Sequence, residues 1–135
     1  MADARCAPVI IGIGTDIVCV SRMEKNLAQY GDKFAKRILT PNEWLEFLQH
    51  NRPAGFLAKR FAAKEATAKA MGCGFRNGLL LSHIGVGHDD LGKPLLEYSG
   101  KAVELCQTLN IGKSYLSISD EDKYAVAFVT LVEAD

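Results

Sequence analysis

Phe61-Ala62-Ala63-Lys64-Glu65-Ala66-Thr67-Ala68-Lys69-Ala70 lies near the middle of a 135-residue chain. The stretch is rich in alanine, the strongest helix former. At about 100° per residue, Glu65 shares a helical face with Ala58, Phe61, Ala62, Ala68 and Lys69. A lone carboxylate among such small and apolar neighbours needs a metal, a cation or a proton as partner. A second isolated acid, Asp16, ends an apolar run far upstream. Two such acids brought together would make a site for a hard metal ion.

Outward from this stretch, the helix is expected over Ala54 to Met71, ending at Gly72, with Cys73 to Gly78 a glycine-bearing loop. Upstream, Val9 to Thr15 reads as a buried strand ending at Asp16. Gly12 and Gly14 fall on the same strand face as Asp16 and leave room for something to approach the backbone. Ser21-Arg22-Met23-Glu24 and Thr40-Pro41-Asn42-Glu43 are capping boxes. They predict helices from Arg22 to about Gly31 and from Pro41 to about His50. Downstream, Leu80 to His88 and Pro94 to Tyr98 read as a hairpin joined by Asp89 to Lys93. Lys101 to Leu109 has helical character. Tyr115 to Ser119 and Tyr124 to Val132 form a second hairpin, its last strand apolar enough to lie centrally in a sheet. The expected order is β-α-α-α-β-β-α-β-β, an α+β single domain with a mainly antiparallel sheet and helices packed on it.

With 48% hydrophobic and 24% charged residues the chain can form an ordinary soluble core. No run of about 18 apolar residues suggests a membrane span. Met1 to Pro8 lacks the apolar core of a secretion signal and reads as a flexible tail before a domain over residues 9–135. Cys6, Cys19, Cys73 and Cys106 are scattered without a C-x-x-C pair, which fits a reducing cytoplasm better than disulfides or zinc. The net charge is zero but uneven. Residues 22–76 hold eleven Lys/Arg against five Asp/Glu, a net of +6, and the remainder carries −6. A basic half suggests an anionic partner; a solvated surface would also account for it. No basic run is interleaved with aromatics, which points away from nucleic acid. Neither a P-loop nor a G-x-G-x-x-G fingerprint is present.

Three segments together resemble the holo-acyl-carrier-protein synthase family of 4′-phosphopantetheinyl transferases. They are Gly12-Ile13-Gly14-Thr15-Asp16-Ile17-Val18, then Arg60-Phe61-Ala62-Ala63-Lys64-Glu65-Ala66 continuing to Lys69-Ala70-Met71-Gly72, and finally Leu91-Gly92-Lys93-Pro94 with the closing Leu116-Ser117-Ile118-Ser119 and Tyr124-Ala125. The resemblance covers about residues 9 to 133. It implies that family's fold. It also implies transfer of the 4′-phosphopantetheine arm of coenzyme A to a serine of an apo acyl carrier protein, for fatty acid biosynthesis. Mg²⁺ dependence and a trimer with active sites between subunits are implied as well.

Residue by residue, the resemblance makes Asp16 and Glu65 the metal ligands. Taken bare, Asp16 would be a turn or cap residue, and Glu65 would form an i,i+4 pair with Lys69 worth a few tenths of a kcal/mol. Because the carrier hydroxyl must lose its proton as it attacks, Glu65, directly or through a water, is the expected base. The family lysine at Lys69 approaches the pyrophosphate, where phosphoryl transfer needs charge stabilisation. Arg60 and Lys64 are open between nucleotide phosphates and solvent. Gly72 and Gly74 cap the helix and, in the family, lie against the coenzyme. Lys93 and Pro94 match an element near the nucleotide, and a hairpin turn would also explain them. Arg22, Lys25, Lys33, Lys36 and Arg37 fall where the family docks its acidic carrier protein. Many members have histidine directly after the Ser117-Ile118-Ser119 segment, where this chain has Asp120. His50, His83 and His88 are assigned no catalysis. Two rival readings remain: a metal-dependent nucleotide pyrophosphohydrolase, and a carrier-binding module without catalysis.

Overall fold

In a computed structural model of the chain, which describes residues 7–135, the alanine-rich stretch forms the middle of a 19-residue helix. The elements run β1 (Ile10–Cys19), α1 (Val20–Tyr30), α2 (Asp32–Ile38), α3 (Pro41–Gln49), α4 (Pro53–Met71), β2 (Ile84–His88), β3 (Pro94–Tyr98), α5 (Lys101–Thr108), β4 (Ile111–Asp120) and β5 (Tyr124–Glu133). The α+β class and the antiparallel pairing match expectation. The tail expected over Met1 to Pro8 lies, except for Ala7 and Pro8, outside the described residues.

One sheet has the order β1-β5-β4, with the apolar last strand at its centre, and β2 and β3 form a separate hairpin. Helix α4 crosses the inner face of the three-stranded sheet. Ala58, Ala62, Ala63, Ala66 and Ala70 are buried there with Ala125, Ala127, Val129 and Leu131 of β5. Because strand side chains alternate between faces, the other side of the sheet carries Ile13, Ile17, Tyr115, Tyr124 and Phe128, all exposed in the single chain.

Helix α4 is buried nearly all round, including Phe56, Leu57, Arg60, Lys64 and Thr67 away from the alanine face. Such a helix is the core of the domain and not a surface element. It ends where Gly72 adopts the left-handed conformation (φ 78°) and its N–H closes onto Lys69 O at 3.0 Å. Thr40 caps α3 through the predicted box: Glu43 N donates to Thr40 Oγ1, and Thr40 N donates to Glu43 Oε1.

Three local expectations fail. The order contains a fourth helix before β2, α2, where the sequence predicts a first helix stopping near Gly31 and no element before Thr40. After Gly31 the chain re-enters a helix at once, and seven residues suffice to bury Ala35 and Ile38. The Ser21 capping box does not form. Strand β1 runs straight into α1, which starts at Val20, and Val20 N donates to Lys123 O in the β4–β5 turn at 2.9 Å. That bond satisfies an N–H that a cap would otherwise take. Finally, β1 does not end at Asp16. It continues to Cys19 and keeps Asp16 inside the strand.

Candidate active site

The close approach of β1 to α4 builds the site. A Cβ on Gly12 would lie 1.9 Å from Ala70 O, and one on Gly14 would lie 2.0 Å from Ala66 O. The object for which these glycines leave room is thus the backbone of α4 itself. Asp16 follows on the same strand face, and this contact carries it under the outward side of the helix.

There it meets Lys69, whose Nζ donates to Asp16 Oδ1 at 3.0 Å and to Thr15 O at 2.9 Å. Asp16 keeps only 16% of its side chain exposed, against 54% for Lys69. Glu65 stands one turn before Lys69, half-buried. Burial raises its carboxyl above the ordinary range, and the charge of Asp16 adds to that. The cations Lys69 and Arg22 pull it back. Arg22, at the start of α1, lies with its guanidinium 5.6 Å from the centre of the Phe61 ring, at the edge of the same site. Two carboxylates and two cations therefore converge from β1, α1 and α4. The carboxylates form a hard, all-oxygen donor pair whose mutual repulsion a divalent cation would relieve. The residues present fit Mg²⁺ with phosphate oxygens and waters as the remaining ligands.

Gly72 and Gly74, both at positive φ, shape the turn that follows Lys69 on the same helix. Lys93 and Pro94 are elsewhere. Pro94 opens β3, and the Lys93 ammonium stands 6.0 Å from the centre of the Tyr115 ring on β4. Strands β1 and β4 are opposite edges of the sheet, so within one chain Lys93 and Pro94 are apart from Asp16 and Glu65. Asp120 closes β4 beside His50, Arg52 and Lys59 around a cleft of about 160 Å³. His50 and His83 each accept a local backbone N–H through Nδ1.

Two expectations need correction. Lys64 and Arg60 are neither phosphate ligands nor solvated; both are buried. Lys64 Nζ donates to Glu43 Oε1 at 2.7 Å, to Leu81 O at 3.2 Å and to Ile84 O. Three acceptors match the three N–H bonds of an ammonium. Burial lowers its proton affinity and Glu43 restores part of it, and the all-acceptor shell favours the charged form. Glu43, read from the sequence only as a capping residue, also accepts from Val86 N at 2.9 Å. Arg60 packs on Phe56 with 4.4 Å to the ring centre and donates to Glu46 at 3.2 Å. This network ties α3 and β2 to α4, and its sequence signal is slight: a lysine between Ala63 and Glu65 in an alanine-rich helix.

The basic set divides between two helices. Arg22 and Lys25 are exposed on α1; Lys33, Lys36 and Arg37 are exposed on α2. Lys36 lies over Trp44 at 4.8 Å, and Lys33 and Arg37 line a cleft of about 480 Å³ with Asn26, Tyr30 and Phe34.

Residues 12–129 match the 4′-phosphopantetheinyl transferase superfamily, and the chain belongs to that family. Within it, the relatives are holo-[acyl-carrier-protein] synthases. The synthase of Nitrosococcus oceani is 56% identical over 124 residues, covering 92% of this chain and 80% of the relative. The crystal structure of the Neisseria meningitidis synthase superposes with a TM-score of 0.86 at 47% identity, covering 91% of this chain and 98% of that one. The Bacillus anthracis synthase, solved in complex with CoA (3′,5′-ADP), gives a TM-score of 0.77 at 40% identity, covering 95% and 100%.

Proposed function

We propose that the protein is a holo-[acyl-carrier-protein] synthase. It transfers the 4′-phosphopantetheine group of coenzyme A to a serine of an apo acyl carrier protein, for fatty acid biosynthesis. The convergence of Asp16, Glu65 and Lys69 at the β1–α4 contact carries this reading. It rests also on the family and on the coenzyme complexes of its relatives. In the reaction, the serine oxygen forms a bond to the phosphorus that bears pantetheine, and the bridging P–O bond breaks. Adenosine 3′,5′-bisphosphate leaves with the bridging oxygen. Glu65 takes the serine proton, directly or through a water, and Lys69 neutralises charge on the pyrophosphate oxygens. Asp16 and Glu65 would hold Mg²⁺, which supplies charge neutralisation on the phosphate oxygens.

Gly72 and Gly74 lie against the coenzyme in this reading. Arg22, Lys25, Lys33, Lys36 and Arg37 dock the acidic carrier, for which two exposed basic helices are suited. A homotrimer completes the site. The outer sheet face exposes Ile13 at 60% and Ile17 at 64% beside Phe128 and Tyr115, an apolar patch that a second copy would cover. Packing of that face would let Lys93 and Pro94 of one subunit serve the Asp16–Glu65 site of another. The enzyme works in the cytoplasm, in keeping with unpaired thiols at Cys19, Cys73 and Cys106. Among the described residues, no helix is long and apolar enough to cross a membrane.

The test is the intact mass of apo carrier protein incubated with coenzyme A, with Mg²⁺ or with a chelator. Gain of the phosphopantetheine mass only with the metal supports the reading. Coenzyme A hydrolysed without carrier modification would overturn it. Substantial turnover by Glu65→Gln would remove Glu65 from the role of base.

A further inference from the structure

Lys69 has a helical partner within its own turn, Glu65, yet it bonds across to the strand. Two of its three N–H bonds go to Asp16 Oδ1 and Thr15 O. Among the described residues, no ion pair joins Lys69 to Glu65. The ammonium thus sits on the carboxylate that a divalent cation would use. Mg²⁺ approaches a ligand oxygen to about 2.0–2.1 Å, whereas Lys69 already stands 3.0 Å from Asp16 Oδ1. Two cations cannot share that oxygen at those distances without strong repulsion. The Lys69 side chain is half-exposed and unbranched, so it can leave without disturbing α4.

We propose that Lys69 is a stand-in cation, which blocks Asp16 against divalent metal until a pyrophosphate draws the ammonium away. Metal and coenzyme then bind cooperatively, and free enzyme holds metal weakly. This inference rests on the transferase reading above, because it needs both ligands to share one site. Lys69 consequently has two positions, one on Asp16 in the free enzyme and one on the substrate phosphates.

The experiment is a titration of the purified full-length enzyme with Mn²⁺, free Mn²⁺ being read by electron paramagnetic resonance, with and without coenzyme A. The variants are Lys69→Met, Lys69→Arg and Arg22→Met, and circular dichroism confirms the fold of each. Without coenzyme A, Lys69→Met binds Mn²⁺ roughly tenfold or more tightly than wild type, within the usual span of site-to-site coupling. Lys69→Arg keeps the weak wild-type binding. Arg22→Met removes a cation that also faces Glu65 but makes no bond to Asp16, and it gains less than about threefold, as a screened charge should. At saturating coenzyme A the Lys69→Met advantage disappears. The stand-in role is overturned if Lys69→Met gains nothing, or if Arg22→Met gains as much. If wild type binds neither Mn²⁺ with coenzyme A nor coenzyme A alone, the transferase reading falls with it. Binding of both by wild type with no gain in Lys69→Met sinks the stand-in role alone.

Discussion

Gly14→Ala is the smallest change that should separate the two halves of the site. The added Cβ would lie 2.0 Å from Ala66 O, 2.8 Å from Ala70 N and 3.0 Å from Ala66 C. Every obstacle is backbone, so no rotamer change relieves it. A tolerable contact needs about 3 Å or more, so α4 must withdraw from β1 by roughly 1 Å, because close-packed interiors transmit such strain. Overpacking of this kind costs about 1–3 kcal/mol, or a fall in Tm of roughly 3–10 °C for a chain this long. The loss of rate should exceed the loss of stability in effect. Asp16 rides on the strand and Glu65 and Lys69 ride on the helix, and a 1 Å misplacement of reacting groups costs about 10²-fold. The assay pairs thermal unfolding with steady-state transfer of phosphopantetheine to apo carrier protein, measured well below the variant's Tm. Gly55→Ala on the same helix is the control. Nothing lies within 4 Å of its added Cβ, so it should stabilise by about 0.5–1 kcal/mol. Wild-type turnover in Gly14→Ala, or equal damage from Gly55→Ala, would refute the close-contact argument.

Three further outcomes follow from the same geometry. Lys64→Met should cost about 1.5–3 kcal/mol in urea unfolding, since it removes the charged donor at 2.7 Å from the buried Glu43 carboxylate and leaves it to Thr40 N, Val86 N and Arg60 Nε at 3.5 Å; a stable variant with only a raised KM for coenzyme A would instead restore the phosphate role. Ile17→Asp should shift sedimentation from trimer towards monomer and abolish transfer, whereas an unchanged trimer would mean that another face assembles the subunits. In the metal-free enzyme the Glu65 carboxyl should titrate above the ordinary carboxylate range, because burial and the charge of Asp16 raise its proton affinity; the carboxyl-carbon NMR signal that follows this titration should be absent in Glu65→Gln. The sign for stability is opposite to the usual acid: Glu65 binds its proton more tightly folded than unfolded, so its contribution is full below the unfolded pKa and is lost as pH rises through the folded one. Urea midpoints for Glu65→Gln and wild type that run parallel across that window would contradict the shift.

The helices and strands were legible where local chemistry dictates them. Thr40-Pro41-Asn42-Glu43 caps through its own atoms, and Gly72 stops α4 because the left-handed turn there suits glycine. Errors arose where a distant segment supplied the missing group. The β4–β5 turn offers Lys123 O to Val20, so α1 starts without the Ser21 cap. Helix α2 is short and polar, and the burial of Ala35 and Ile38 holds it, not a sequence period. The site shows the same division. Asp16 and Glu65 stood out as acids in apolar surroundings, and both are where a shared cation could reach them. Lys64 misled because the sequence does not reveal which side of an all-round buried helix faces water. Lys64 is the immediate neighbour of Glu65, yet about 100° of rotation sends one side chain into the core and the other to the site.

That rotation also explains how an alanine-rich helix can carry catalysis. A helix packed on only one face could roll, and Glu65 would roll with it. Here the alanine face is keyed to β1 by Gly12 and Gly14. A second face is anchored by the Lys64 ammonium, which reaches three oxygens: one on α3, Leu81 O just before β2 and Ile84 O at the start of β2. Two contacts on different sides of a cylinder fix its rotation as well as its distance. The movable part of α4 near Asp16 is the half-exposed Lys69 side chain, and the exchange of metal and pyrophosphate proposed above would need mobility there and rigidity everywhere else.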